Sequence, residues 1–237
     1  MIPELTYPLI TIIQPSTQKS LQFRRYLVKE EKILLLAKES REISDIFRAI
    51  KQVVHQCCQE PNFNIETMPL FDLEYIYLQL RAASVNNIEK ITVKDKEDNR
   101  PYEVEIKFDD IKVHFSENAP DKNIKIDSEL TLVMKYPEAS IYNDDTINSL
   151  QDKGLSEGIF ELIISCMDKV FKGDEIIPMT RDEFKSFTDI LDVKTYKKIE
   201  AFLFSVPSIK HEIKYQNSLG HERSITFSSL IDFFLFL

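Results

Sequence analysis

Near Ser84 the spacing of apolar residues along this chain changes, and the change fixes the fold class. Before it, Ile43, Ile46, Phe47, Ile50, Val53, Val54, Cys57 and Cys58 recur at three-and-four intervals, one stripe of an amphipathic helix. The next segment, "TMPLFDLEYIYLQLRAAS", repeats the pattern with Leu73, Ile76, Tyr77 and Leu80, and places Pro69 in a first turn. After Ser84 the period is two. Ile91 and Val93 alternate with Thr92 and Lys94; Tyr102, Val104, Ile106 and Phe108 alternate with charged residues. Ile111, Val113 and Phe115 continue the alternation, as do Leu130, Leu132, Met134 and Tyr136. A helical stripe cannot be reused as a half-wet strand, so the chain reads as α+β: antiparallel hairpins or sheet with amphipathic helices.

The flanking segments extend this reading. Residues 5–26 form a hairpin, turning at Gln14 to Lys19, and "VKEEKILLLAKES" forms a helix with acids in its first turn. The polar stretch "YPEASIYNDDTINSLQDKGLSE" is the expected boundary between an N-terminal α+β lobe, 1–137, and a C-terminal helical lobe, 138–237. In the second lobe Ile159, Leu162, Ile163, Cys166, Met167, Val170 and Phe171 predict one helix stopped by Gly173. Thr180 and Glu183 make a capping box for the next helix, and Tyr196, Ile199, Phe202 and Leu203 mark another. The chain then ends in a hairpin and an apolar tail. "SVNNIEKITV" and "SVPSIKHEIKY" each follow a helix and open a hairpin, returning as "IKFDDI" and "ITFSSL". A helix-then-hairpin unit is thus used twice.

Composition excludes several function classes. A formal charge of −9 supplies no basic surface for a nucleic-acid backbone. No apolar run approaches the ~20 residues of a membrane span, and no leader is expected. Three cysteines, two of them the adjacent Cys57 and Cys58, point to a reducing compartment. Four glycines leave little for a phosphate-cradling loop.

The candidate reactive groups also read as structure. His211 and His221 fall on one face each of the two strands of the last hairpin, at separated positions, with no third ligand nearby; no metal is expected there. His55 lies off its helix's apolar stripe, where solvent takes it. Asp95, Glu105 and Lys107 have the residue types of a metal-dependent nuclease, two carboxylates for magnesium and a lysine for the attacking water. The same residues describe the wet face of a hairpin. "YNDDT" (Tyr142 to Thr146) lacks calcium-loop spacing, and the cysteines have neither a partner base nor exposure. No catalytic, cofactor-binding or metal site is expected. The densest signal is the ending "LIDFFLFL", which predicts a docked final helix whose Leu230, Phe233, Phe234 and Phe236 engage a partner subunit.

Several segments together resemble one family. "QPSTQKSLQFRRYLVKEEKILLLAKES", "AIKQVVHQCC" and "MPLFDLEYIYLQLRAASVNN", with "FLFSVPSIKHEIKY" and "SSLIDFF" near the end, are similar to the baseplate hub and hub-assembly proteins of T4-like tailed bacteriophages. The stretch from Asn118 to Gly154 has no counterpart in that pattern. The resemblance implies a small, acidic, non-enzymatic late protein. It would help to build the tail baseplate's central hub through contacts with other hub subunits or assembly factors. It would act in the host cytoplasm during assembly, either remaining in the virion baseplate or leaving it. The nuclease centred on Asp95, Glu105 and Lys107 is the rival reading.

Overall fold

The computed structural model describes residues 6–142 and 155–236, with the side chains of residues 155, 156, 235 and 236 left aside. It is a mixed α+β fold, with seven helices and eleven strands among the described residues, the strands in four small antiparallel sheets. No helix among the described residues is long and apolar enough to cross a membrane. The chain forms two compact units that interleave in sequence. Unit 1 takes Met1–Ile65, Phe71–His114 and Ser208–Leu237; unit 2 takes Glu66–Leu70 and Phe115–Pro207. This division differs from a single cut at 137/138. The last hairpin and helix join the N-terminal unit, because strand pairing across 94 residues (Ser208 with His114) returns them there.

Unit 1 begins with β1 (Ile10–Ile13) and β2 (Ser20–Phe23), then α1 (Val28–Ser40), α2 (Ile43–Cys57) and α3 (Leu70–Ser84, in this unit from Phe71). The predicted stripe of α2 is buried from Ile46 to Cys57, and His55 is exposed as its position implies. In α3 nearly every face is buried, because Phe71 and Leu78 go inside along with Leu73, Ile76, Tyr77 and Leu80. Its first turn holds Asp72, which is fully buried. Asp72 accepts hydrogen bonds from the Ser16 amide (2.9 Å), Gln14 Nε2 (2.7 Å) and the Ser16 hydroxyl, and so pins the β1–β2 turn to α3. After α3 come β3 (Ile88–Lys94), β4 (Pro101–Lys107) and β5 (Lys112–His114). The strands do not form one sheet. A 3-10 turn at Phe108–Asp110 buries Phe108, accepts a bond from Gln79 Nε2 on the Phe108 carbonyl (3.0 Å), and turns β5 away from β4.

In unit 2, β6 (Asn123–Lys125) and β7 (Leu130–Met134) precede α4 (Leu155–Ser165), β8 (Met167–Lys172), β9 (Glu175–Ile177), α5 (Arg181–Asp189) and α6 (Val193–Phe204). The sheet order is β6-β7-β8-β9. Leu132, Met134, Ile163, Cys166, Val170, Phe184, Ile199 and Phe202 make its core. The Thr180–Glu183 capping box forms as expected. The long helix predicted through Phe171 does not; it stops at Ser165, and Met167–Lys172 is a strand. The cause is a bulge: Met134 pairs with Met167 but Val133 pairs with Lys169, so Asp168 is an extra residue. The bulge turns Met167 and Val170, three apart, to the same side, and this copies helical spacing. Most of the polar stretch around Tyr142 to Thr146 lies outside the described residues.

Unit 1 is completed by β10 (Ser208–Gln216), β11 (Glu222–Phe227) and α7 (Leu230–Phe236), with sheet order β11-β10-β5. Both helix-then-hairpin segments are present as elements, α3 with β3–β4 and α6 with β10–β11.

Gly173 is not a helix stop but the first residue of the two-residue loop joining β8 to β9, at a φ of 59°. A Cβ there would meet nothing within 4 Å, so substitution acts through the backbone alone. Gly173→Ala should therefore lower stability by about 1–2 kcal/mol in urea unfolding, and Gly173→Asn by less, because Asn tolerates the left-handed region.

Candidate interaction surface

The nuclease trio is not assembled. Asp95 ends β3 at the turn and is 1% exposed, on the face of Ile91 and Val93. Glu105 and Lys107 point to solvent from the other face of β4, where Glu105 pairs in register with Lys90 and Lys107 with Ile88 at the far end. Lys90 Nζ bonds Glu103 at 2.9 Å and stands 3.8 Å from Glu105. The two histidines sit at opposite ends of their hairpin. His211 pairs with Phe227, and burial lowers its ring pKa against the pull of Asp110. His221 is exposed, with Nδ1 2.9 Å from Glu97 Oε1. Among the described residues no three of His, Cys, Asp or Glu gather to hold a metal ion. Burial pushes the thiols of Cys57 to about 11 and Cys166 to about 12, which keeps them protonated.

What Asp95 does is fasten two hairpins. It accepts from the Glu97 and Asp98 amides (2.9 and 3.2 Å), as aspartate does in a turn, and also from Tyr215 Oη (2.6 Å) and Arg223 Nε (3.1 Å) of the β10–β11 hairpin. Its neighbours act likewise. Glu97 takes Asn217 Nδ2 (2.8 Å); Asp98 takes the Ser218 amide (3.1 Å) and hydroxyl (2.8 Å) and the Tyr102 hydroxyl. The Tyr102 and Tyr215 rings meet at 5.3 Å. "DKEDNRP" reads from sequence as a turn alone. The one hint of its partner is the repeated helix-then-hairpin pattern, which sets a second turn of the same build at Asn217.

The apolar ending is spent inside the chain. Leu230 and Phe233 are fully buried and Phe234 is nearly so. Phe233 stacks on Phe227 at 5.0 Å and Phe234 meets Tyr77 at 6.4 Å. As folded, these three side chains offer a partner no surface; Phe236's side chain lies outside those described. The reason is α3, whose second apolar side needs cover. In unit 1 several exposed apolar side chains lie on α1, while in unit 2 Ile190, Val193 and Phe204 are at least as exposed. Val28 is 72% and Leu36 66% exposed, with Leu35 beside them. Tyr7, Leu27, Val28 and Val85 line an open groove of about 1000 Å³, with Arg25 and Lys29 at its walls.

Asp95 and Asp98 both titrate low. The Tyr215 hydroxyl is the main cause for Asp95, against desolvation. For Asp98, desolvation pulls upward but hydrogen bonds from Tyr102, Arg100 and Ser218 bring it to about 2. Their contribution to stability is complete above the ordinary aspartate value of 3.8 and is lost as pH falls through the lowered values, about 2 for Asp98 and lower for Asp95. Tyr215→Phe should lower Tm at pH 7, and the gap from wild type should narrow between pH 4 and 2, as thermal unfolding across pH will show. A gap of constant size would mean that the hydroxyl does not act through the carboxylate.

A family model described as "T4 bacteriophage base plate protein" matches residues 7–235. No curated protein and no solved structure matches the chain. The match spans both compact units, all described elements but the end of α7, the Asp95 clasp and the exposed face of α1. The chain belongs to the T4 bacteriophage base plate protein family, whose members are phage base plate proteins.

Proposed function

We propose that the chain serves the central hub of the tail base plate, as a hub component or as an assembly factor, and that it works by protein–protein contact rather than catalysis. Family membership supports the base plate, and the resemblance of Gln14 to Asn87 to hub proteins supports the hub. The observation that carries the mode of action is the outward face of α1. Large aliphatic side chains stand in water at Val28, Leu35 and Leu36, and Val28 also lines a groove of mixed apolar and charged walls. Large aliphatic side chains left in water on one helix support a site that a partner covers. The proposal moves docking away from Leu230, Phe233 and Phe234, which the chain itself buries. The host cytoplasm is then the place of assembly, and the virion base plate is the destination of a component but not of an assembly factor.

Because Val28 and Leu36 are so exposed, replacing both with Asp should leave folding stability within roughly 0.5 kcal/mol. A phage carrying this double variant should fail to complete base plates, counted by electron microscopy of lysates, while the variant's Tm stays near wild type. Normal base plate numbers would sink the assignment of α1 as the contact. Mass spectrometry of purified base plates separates the two roles: a component is present in fixed ratio, an assembly factor is required but missing.

A further inference from the structure

Glu74 lies in the middle of α3 and is 7% exposed, under α7. Among the described residues its carboxylate accepts one hydrogen bond, from the Leu230 amide at 3.2 Å, a long bond for an ionised group. The titratable group facing it from α7 is Asp232, another acid, which is itself occupied by the Ser228 and Ser229 amides (2.9 and 3.0 Å). From α3 there is Tyr77, one turn on, whose hydroxyl burial keeps protonated; β11 presents Phe227, which carries no charge. Glu31, Lys38 and Arg81 share a small recess with Phe234, yet among the described residues the charge that shifts Glu74 is that of Asp232. Asp72, two residues earlier in the same helix, has three donors, and Glu30 in α1 has Arg24 at 2.8 Å. Glu74 has neither arrangement. A buried carboxylate with one amide and a like charge beside it is held in a state that favours its neutral form.

We infer that α7 is a detachable strap, seated on α3 when the Glu74 carboxyl is neutral and loosened when it ionises. Burial, aided by Asp232 and opposed by the Leu230 amide, raises this carboxyl from its ordinary 4.5 to about 7. Once the strap lifts, Glu74 meets water and titrates in the ordinary range. The seated form therefore binds a proton that the lifted form releases. Seating is firmest below the ordinary value, weakens as pH rises through about 7, and levels off above. Between pH 6 and pH 8 the seating equilibrium should fall roughly tenfold. Lifting uncovers Phe233 and Phe234 together with their seats at Phe227 and Tyr77, an apolar surface that the seated chain conceals.

Hydrogen exchange of the full chain tests the device. After correction for the intrinsic pH dependence of exchange, amides of Leu230–Phe234 should lose about tenfold protection from pH 6 to pH 8, the decline levelling off above about 7. Amides of α2 should not change. Glu74→Gln, which keeps the acceptor for Leu230 but does not titrate, should hold protection level across the same range. A flat wild-type profile, or a slope that survives in Glu74→Gln, overturns the inference. If the variant does not fold, the wild-type comparison of α7 with α2 decides alone: selective loss at α7 supports the strap, and equal behaviour refutes it.

Discussion

Unit 1 is organised by the need to surround α3. A helix apolar on one stripe can rest on a sheet, but "LFDLEYIYLQLRAAS" is apolar on all sides and must be enclosed. The neighbouring elements meet that need from different directions. The β1–β2 turn is tied at Asp72, the 3-10 turn after β4 at Gln79, and α7 closes over Glu74 and Tyr77. Enclosure removes two carboxyl groups and a guanidinium from water, and each is answered differently. Asp72 receives three donors. Arg81 lies 5.7 Å above the Phe108 ring with Glu89 at 3.6 Å, and its Nη1 has no hydrogen-bond partner among the described residues. Glu74 receives a single amide. The burial that makes the unit stable thus also leaves its least satisfied polar groups on one helix.

That enclosure also shows how far the sequence could be read. The stripe of α2, the Thr180–Glu183 cap and the strand alternation of β3, β4, β10 and β11 are local signals, and each formed the expected element. The failures came where a distant partner decides. Three-residue spacing at Met167 and Val170 read as helix because a bulge in a strand produces the same interval. Pairing of β5 with β10 depends on a 3-10 turn no periodicity announces. The tail's apolar density was plain, but its destination was not, since nothing within "LIDFFLFL" reveals that α3 has a second face to cover. The exposed face of α1 was there to be read. Five consecutive apolar residues, Ile33 to Ala37, cannot share one side of a helix at 100° per residue; Leu34 and Ala37 go in, Leu35 and Leu36 out.

The Asp95 loop shows why acidic turns imitate metal sites. Carboxylates in a turn are chosen for lone pairs, and lone pairs serve amides, hydroxyls and cations alike. At Asp95 two oxygens offer about four acceptor positions, and four donors fill them: two amides, a tyrosine hydroxyl and a guanidinium. A magnesium ion would have to displace Arg223 or Tyr215 and undo the joint between hairpins. The residue types alone did not distinguish these outcomes. What does is the second hairpin's tip, which aims donors at the loop from Tyr215, Asn217, Ser218 and Arg223.

These placements bear on how a base plate protein of this kind is used. Its reactive-looking groups are consumed by its own folding, with Asp95 saturated, Cys57 and Cys166 buried and protonated, and Glu105 and Lys107 in solvent. In unit 1, Leu230, Phe233 and Phe234 of α7 complete the core, while Val28, Leu35 and Leu36 of α1 stand in water near an open groove. A chain that already has a filled core gains nothing for its own stability from Val28 and Leu36 in water, because only buried apolar area contributes. On the docking role proposed for α1, their cost is recovered when a neighbouring subunit covers them.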